Sequence, residues 1–227
     1  VAADPVFLIT GAGSGIGAAT ARHAARAGYR VVLAGRTAAK LDALADELGG
    51  AERAIGVVAD VRTWEGNAAM VAQATERFGR LDVAFANAGI HGAPGWEADT
   101  PEQWQDMVLT NVLGPAYTIR AAIPALRAAR GHVVVTSSAA GRRVLPSLYS
   151  VTRWATAAMG EAVRQDLQGT GIRVTVLEPG GVNTPLWDHH NAGRLEPDDI
   201  ARAVLFATSQ PRHVDVNEVL VRPVGAP

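Results

Sequence analysis

The chain has 227 residues, a net charge of −1 and 48% hydrophobic residues, enough to bury one core as a single domain over 1–227. The near-neutral charge gives no reason to expect nucleic acid or an acidic membrane surface as a partner. With no cysteine, disulfides, thiolate chemistry and cysteine-type zinc sites are excluded. Charged residues interrupt every apolar run short of about 18 residues and no signal peptide opens the chain, so a cytoplasmic protein without a membrane partner is expected. Of the 21 basic residues only Lys40 is lysine.

Short β-rich runs alternate with longer helical patterns. Val6–Thr10 reads as a strand, followed by a helix over about Ile16–Ala27. Val31–Ala34 and Ala54–Ala59 are the next strands, each followed by a helix, near Ala38–Leu48 and Glu65–Phe78. Val83–Ala86 is the fourth strand, and a helical stretch runs from Pro101 to Arg130. Val133–Thr136 and Val174–Leu177 flank a helix that carries Tyr149. A helix over Pro197–Thr208 and a strand near Glu218–Val221 close the domain. Continuous apolar strands, each followed by a helix, predict an α/β fold: a doubly wound parallel β-sheet with helices on both faces.

The first strand runs into Thr10-Gly11-Ala-Gly13-Ser14-Gly15-Ile16-Gly17 and then a helix. Glycines there let the backbone turn tightly and approach a pyrophosphate, which sits on the free N–H groups at the helix start. The second strand ends in Ala34-Gly35-Arg36, with no carboxylate for a ribose 2′-hydroxyl. Gly35 removes the repulsion an acid would exert on a 2′-phosphate, and Arg36 offers a planar fork to it. The expected cofactor is NADP(H), with NAD(H) as the alternative should Arg36 be merely solvated. Tyr149 and Arg153 lie one helical turn apart, eleven residues and more beyond Ser138. In that arrangement a cation can favour the phenolate.

These segments together resemble the short-chain dehydrogenases/reductases, whose TGxxxGxG motif Thr10–Gly17 matches. Asn87-Ala88-Gly89 is similar to the family's NAG motif, Asn111 to its helix asparagine, Ser137-Ser138 to its serine segment, and Pro179-Gly180 with Thr184 to its PGxxxT segment. The ending Val214–Pro223 resembles the NADP-dependent 3-hydroxy acid and serine dehydrogenase subgroup. The resemblance implies a single-domain Rossmann fold and hydride transfer between NADP(H) and a small carbonyl or secondary alcohol. Tyr149 would act as general acid/base, Ser138 would hold the substrate oxygen, and Asn111 would hold a proton-relaying water. Gly11, Ser14, Gly15, Ile16, Gly17 and Arg36 would take the pyrophosphate and ribose. Asp60 and Val61 would take the adenine, Asn87, Ala88 and Gly89 the middle of the cofactor, and Pro179, Gly180, Val182 and Thr184 the carboxamide.

Two departures from the family pattern bear on catalysis. Arg153 stands where the family has the lysine that holds the ribose, lowers the barrier to tyrosine ionisation and feeds the proton relay. Arg keeps the charge but cannot give up a proton at workable pH. A working enzyme and a catalytically weak or silent NADP(H)-binding regulatory or assembly protein both stay open on this residue. The Ser138–Tyr149 segment is also about two residues shorter than usual, read here as a trimmed Gly141–Leu148 loop.

In this architecture the substrate lies outside the carboxyl ends of the strands. His91, Trp96, Arg142, Leu145, Leu186, Trp187 and His190 are the candidates to line its pocket, the last three in a short substrate loop at about 185–196. Arg142 is weighed as a grip for a carboxylate against being solvated or paired with a neighbouring subunit. His189-His190 lacks a third ligand at suitable spacing, so no metal is expected. Apolar helices near Val108–Ile119 and Ala155–Leu167 fit the family's homodimer or homotetramer.

Overall fold

A computed structural model describes residues 4–186 and 191–225. Seven strands form one sheet in which every pairing is parallel: β1 (Val6–Thr10), β2 (Arg30–Gly35), β3 (Ala54–Val58), β4 (Val83–Ala86), β5 (His132–Thr136), β6 (Arg173–Pro179) and β7 (Glu218–Val221). Their spatial order is β3-β2-β1-β4-β5-β6-β7. The chain winds outward from β1 to β3, crosses back to β4 and winds outward again, so the order reverses between β1 and β4. In such a sheet the crevice beyond the carboxyl ends of those two strands is where a ligand sits.

The strands carry no polar alternation because both faces are covered. Val6 and Leu8 of β1 pack into one core with Met70, Phe78, Leu126 and Leu167, while Phe7 and Ile9 pack into the other with Leu33, Leu41, Phe85 and Val204. The helices that cover them are α1 (Gly15–Arg26), α2 (Ala38–Glu47), α3 (Trp64–Phe78), α4 (Pro101–Val108), α5 (Gly114–Ala129), α6 (Leu148–Asp166) and α7 (Pro197–Thr208). α1, α2, α3 and α7 match the expected bounds within a residue or two, and α6 carries Tyr149 as expected.

The stretch expected as a single helix from Pro101 to Arg130 is broken. It starts on a capping box, with Thr100 and Gln103 exchanging bonds and Pro101 in the first turn. It then widens into a π-turn over Leu109–Leu113 before α5 begins. The cause is local. Pro115 has no N–H to give the carbonyl of Asn111 four residues back. That carbonyl instead accepts from the Thr156 hydroxyl of α6 at 3.1 Å. The widened turn turns the Asn111 side chain toward the segment after β4.

Candidate active site

The turn between β1 and α1 is shaped by glycines that no other residue replaces easily. Gly11 and Gly15 have φ of 67° and 51°, in the left-handed region. A Cβ on Gly11 would stand 3.0 Å from the Ala88 Cα, and one on Gly17 would run into the Gly11 carbonyl oxygen. Gly17 is therefore buried behind the loop and serves its packing. Ser14 takes the N-cap position of α1 without a side-chain cap bond, and the first turn holds no acidic residue. The first N–H groups of α1 are left for an anion, with the positive helix end behind them.

Asn87-Ala88-Gly89 is stapled to this loop. The Asn87 and Ala88 N–H groups both donate to the Thr10 hydroxyl at 3.0 Å, and the Asn87 amide donates to the Thr10 carbonyl at 3.0 Å. The loop opens onto a cavity of about 950 Å³ lined by Gly11, Ser14, Gly15 and Ile16 at one side. Gly35, Arg36, Lys40, Asp60 and Val61 also line it, as do Pro179, Gly180, Val182 and Thr184. Thr184 lies against Gly15, with its Cγ2 3.0 Å from where a Cβ on that glycine would be. Thr63 caps α3, its hydroxyl accepting from the Gly66 N–H, which leaves the Asp60 carboxylate out of the cap. The Asp60 carboxylate is gripped by the Arg62 fork at 2.7–3.1 Å, and that bond above all holds it below the usual carboxylate range.

The same cavity receives Ser138, Tyr149 and Arg153. Ser138 is extended, donates to the Pro179 carbonyl at 3.3 Å and accepts from the Ala140 N–H at 3.1 Å. The connection from Ser138 to Tyr149 is short. It folds as a 3-10 turn over Ala139–Gly141 and is then gathered around the buried Ser150 hydroxyl. That hydroxyl meets the carbonyls of Ala140 and Arg143 at 2.9 and 3.3 Å and the Leu145 N–H at 3.2 Å.

Tyr149 sits in the first turn of α6 with its ring against two side chains. The Arg153 guanidinium carbon is 4.9 Å from the ring centroid, and the His91 ring centroid is 4.5 Å away, tilted by 40°. Arg153 is buried, its Nη1 donates to the Thr136 carbonyl at 3.0 Å, and its Nε has no partner among the described residues. The guanidinium thus lies over the face of the phenol. His91 is half-buried, and its pKa is lowered first by burial and then by the Arg153 charge.

Asn111 does not line the cavity. Its side chain lies behind the wall, where its oxygen accepts from the Ile90 N–H at 2.9 Å and its amide donates to the Ile90 carbonyl at 2.9 Å and to Thr152 at 3.2 Å. Among the expected substrate contacts, His91, Leu145 and Leu186 line the cavity. Trp96 does not; it packs edge-on against Trp104, ring centroids 5.4 Å apart, with half its surface exposed. Arg142 lines the rim with 41% of its side chain exposed, and it is paired within its own chain. Its Nε binds both oxygens of buried Glu178 at 2.7–2.8 Å, and a further nitrogen binds Glu218. A carboxylate substrate would have to compete with two carboxylates already in place, which corrects the expectation of a free grip. Trp187 and His190 lie outside the described residues, and no cluster of three potential metal ligands occurs among those described.

Lys40, Arg62, Glu178, Ser150 and Thr152 were not singled out by the sequence. Lys40 alone carried a signal, as the chain's one lysine, four residues beyond Arg36 on the face of α2 that meets the cavity.

One family model, short chain dehydrogenase, matches residues 5–195. The chain belongs to the short chain dehydrogenase family. This short chain dehydrogenase is 38% identical over 231 residues to an uncharacterised oxidoreductase of Staphylococcus aureus, covering 99% of both chains. It superposes with a TM-score of 0.92 and 32% identity on an alcohol dehydrogenase from the archaeon Thermococcus sibiricus complexed with 5-hydroxy-NADP, covering 98% of each chain. The closed form of a serine dehydrogenase complexed with NADP+ gives 0.89 and 28%, covering 98% of this chain and 96% of the other.

Proposed function

We propose that the protein is an NADP(H)-dependent oxidoreductase that interconverts a carbonyl and a secondary alcohol. The observation that carries this reading is that one cavity is lined both by the glycine turn of α1 and by Ser138 and Tyr149. The residues fit a dinucleotide: positive-φ glycines, an uncapped helix start and no acid at the end of β2. Arg36 and Gly35 would hold the 2′-phosphate, Ser14 to Ile16 the pyrophosphate, and Val182 and Thr184 the carboxamide. The NADP species bound to the two solved relatives supports the same choice. Bound there, the nicotinamide would supply or accept the hydride.

The chain's own groups would do the rest. Tyr149 would give its proton to the carbonyl oxygen in reduction and take it from the alcohol in oxidation. The Ser138 hydroxyl would hydrogen-bond that oxygen and hold it in place. Arg153, permanently charged, would keep a positive charge against the Tyr149 ring face. The substrate would be small, between His91, Leu145 and Leu186. We read the assembly as a homo-oligomer through the helices near Val108–Ile119 and through α6, where Val108 at the end of α4 and Val151 and Trp154 of α6 are exposed.

One observation favours the rival, a silent NADP(H)-binding protein: Arg153 spends a buried hydrogen bond on the Thr136 carbonyl. Two measurements separate the readings. Fluorescence titration should give a tighter Kd for NADPH than for NADH, and NADPH should be oxidised with at least one member of a panel of ketones, aldehydes and keto acids. Binding with no turnover across the panel would favour the silent protein, and tighter NADH binding would overturn the cofactor assignment.

A further inference from the structure

If Tyr149 gives a proton in each reduction, it must regain one from water before the next. Arg153 cannot pass it on, because a guanidinium does not deprotonate at workable pH. Asn111 has its side chain committed to Ile90 and Thr152, away from the cavity. A further side chain against the Tyr149 ring is His91, at 4.5 Å between centroids and on the cavity wall. It is the side-chain type that exchanges protons near neutral pH.

The contact is built. Asn111 clamps both backbone groups of Ile90 immediately before His91, at 2.9 Å each. The same asparagine reaches Thr152, whose hydroxyl donates to the Tyr149 carbonyl at 2.8 Å. One buried network therefore fixes the backbone on both sides of the ring pair. We propose that His91 is the group through which Tyr149 exchanges its proton with solvent, taking the relay role that an arginine at position 153 cannot fill.

The inference rests on the reading of Tyr149 as proton donor. Reduction of the carbonyl consumes one hydride and one proton; the proton leaves the Tyr149 hydroxyl, and the phenolate regains one from His91, which draws its own from water. Alcohol oxidation runs the same path in reverse. The charged and titratable groups facing His91 are Tyr149 and Arg153 from α6, Asp99 from the segment before α4 and Arg194 from the segment before α7. Burial and the two arginines favour the neutral ring, while Asp99 and a hydrogen bond with the Gly92 backbone oppose them. A neutral imidazole is both acceptor and donor, the form a relay needs.

The test compares wild type, His91→Phe, which keeps a ring against Tyr149, and His91→Gln. In NADPH-driven reduction both variants should lose at least tenfold in kcat and the neutral limb of the pH profile, with the NADPH Kd unchanged within about twofold. Added imidazole should restore part of the rate to His91→Gln. A His91→Phe enzyme with wild-type kcat and pH profile would overturn the proposal. A second readout needs no turnover: the imidazole nitrogens of His91 are titrated by NMR in wild type and in Tyr149→Phe. Coupling across the pair should move the midpoint between the two proteins, and an unmoved midpoint would overturn the proposal. A wild type silent on every substrate would instead defeat the reading of the site, and the titration would still decide whether His91 and Tyr149 share a proton.

Discussion

Gly141→Ala tests whether the shortened Ser138–Tyr149 connection is what holds α6 in place. A Cβ at 141 would stand 2.7 Å from the Ser137 hydroxyl oxygen and 2.8 Å from the Arg153 carbonyl oxygen, against ordinary contact of 3.4 Å or more. Relief takes a shift of about 0.6 Å. It must come from the backbone of α6 or from the 2.7 Å bond in which Ser137 donates to that carbonyl. Overpacking of this kind costs about 1–3 kcal/mol, and loss of the buried hydrogen bond adds about 1 kcal/mol. We expect a net loss of about 2–4 kcal/mol, which in a chain of this size lowers Tm by roughly 4–16 °C. The same shift moves Tyr149 relative to Ser138 by about the 0.5 Å that a catalytic constellation tolerates, so turnover should fall roughly tenfold. Urea unfolding gives the first number and initial rates the second. A variant within 0.5 kcal/mol of wild type (roughly the scatter of neutral surface changes) would refute the argument that this glycine seats α6.

Three further outcomes follow from the geometry. Arg36→Ala should weaken NADPH binding about tenfold or more, about 1.4 kcal/mol, and leave NADH binding nearly unchanged, as read by fluorescence titration. Ser150→Ala removes the hydroxyl that gathers the loop of residues 140–145. It should cost about 1–3 kcal/mol in urea unfolding because it strips partners from the Leu145 N–H and the Ala140 and Arg143 carbonyls. His132 is buried against Thr175, and burial lowers its pKa from 6.5 to about 3. The unfolded chain therefore takes up a proton below pH 6.5 that the folded chain refuses, and wild type loses stability as pH falls from 6.5 toward 3. His132→Gln should flatten that slope in chemical unfolding measured at several pH values; an unchanged slope would mean His132 is protonated in the fold.

What was legible in the sequence was whatever one segment decides alone. Val6–Thr10 and Val133–Thr136 read as buried strands because their apolar runs admit no wet face, and Thr10–Gly17 read as an anion turn because glycine spacing fixes the backbone. Residues whose behaviour depends on a distant partner were not legible. The break at Leu109–Leu113 needs both Pro115, which withholds a donor, and Thr156 of α6, which supplies another. Arg142 looked free because its partners, Glu178 and Glu218, come from β6 and β7. Arg153 looked like a cation beside a phenol hydroxyl, and it lies over the ring because the Thr136 carbonyl at the end of β5 draws its guanidinium inward. Trp96 looked like a pocket wall, and Trp104 claims it.

The most direct test of the account is the rate of NADPH-driven reduction in wild type, Arg153→Lys and Tyr149→Phe, measured side by side with the best substrate of the panel. The account predicts that wild type turns over and that Tyr149→Phe loses at least a hundredfold, the loss of a general acid. Arg153→Lys should stay within about tenfold of wild type. A wild type that stays silent while Arg153→Lys turns over would contradict it, because Arg153 would then disable the site.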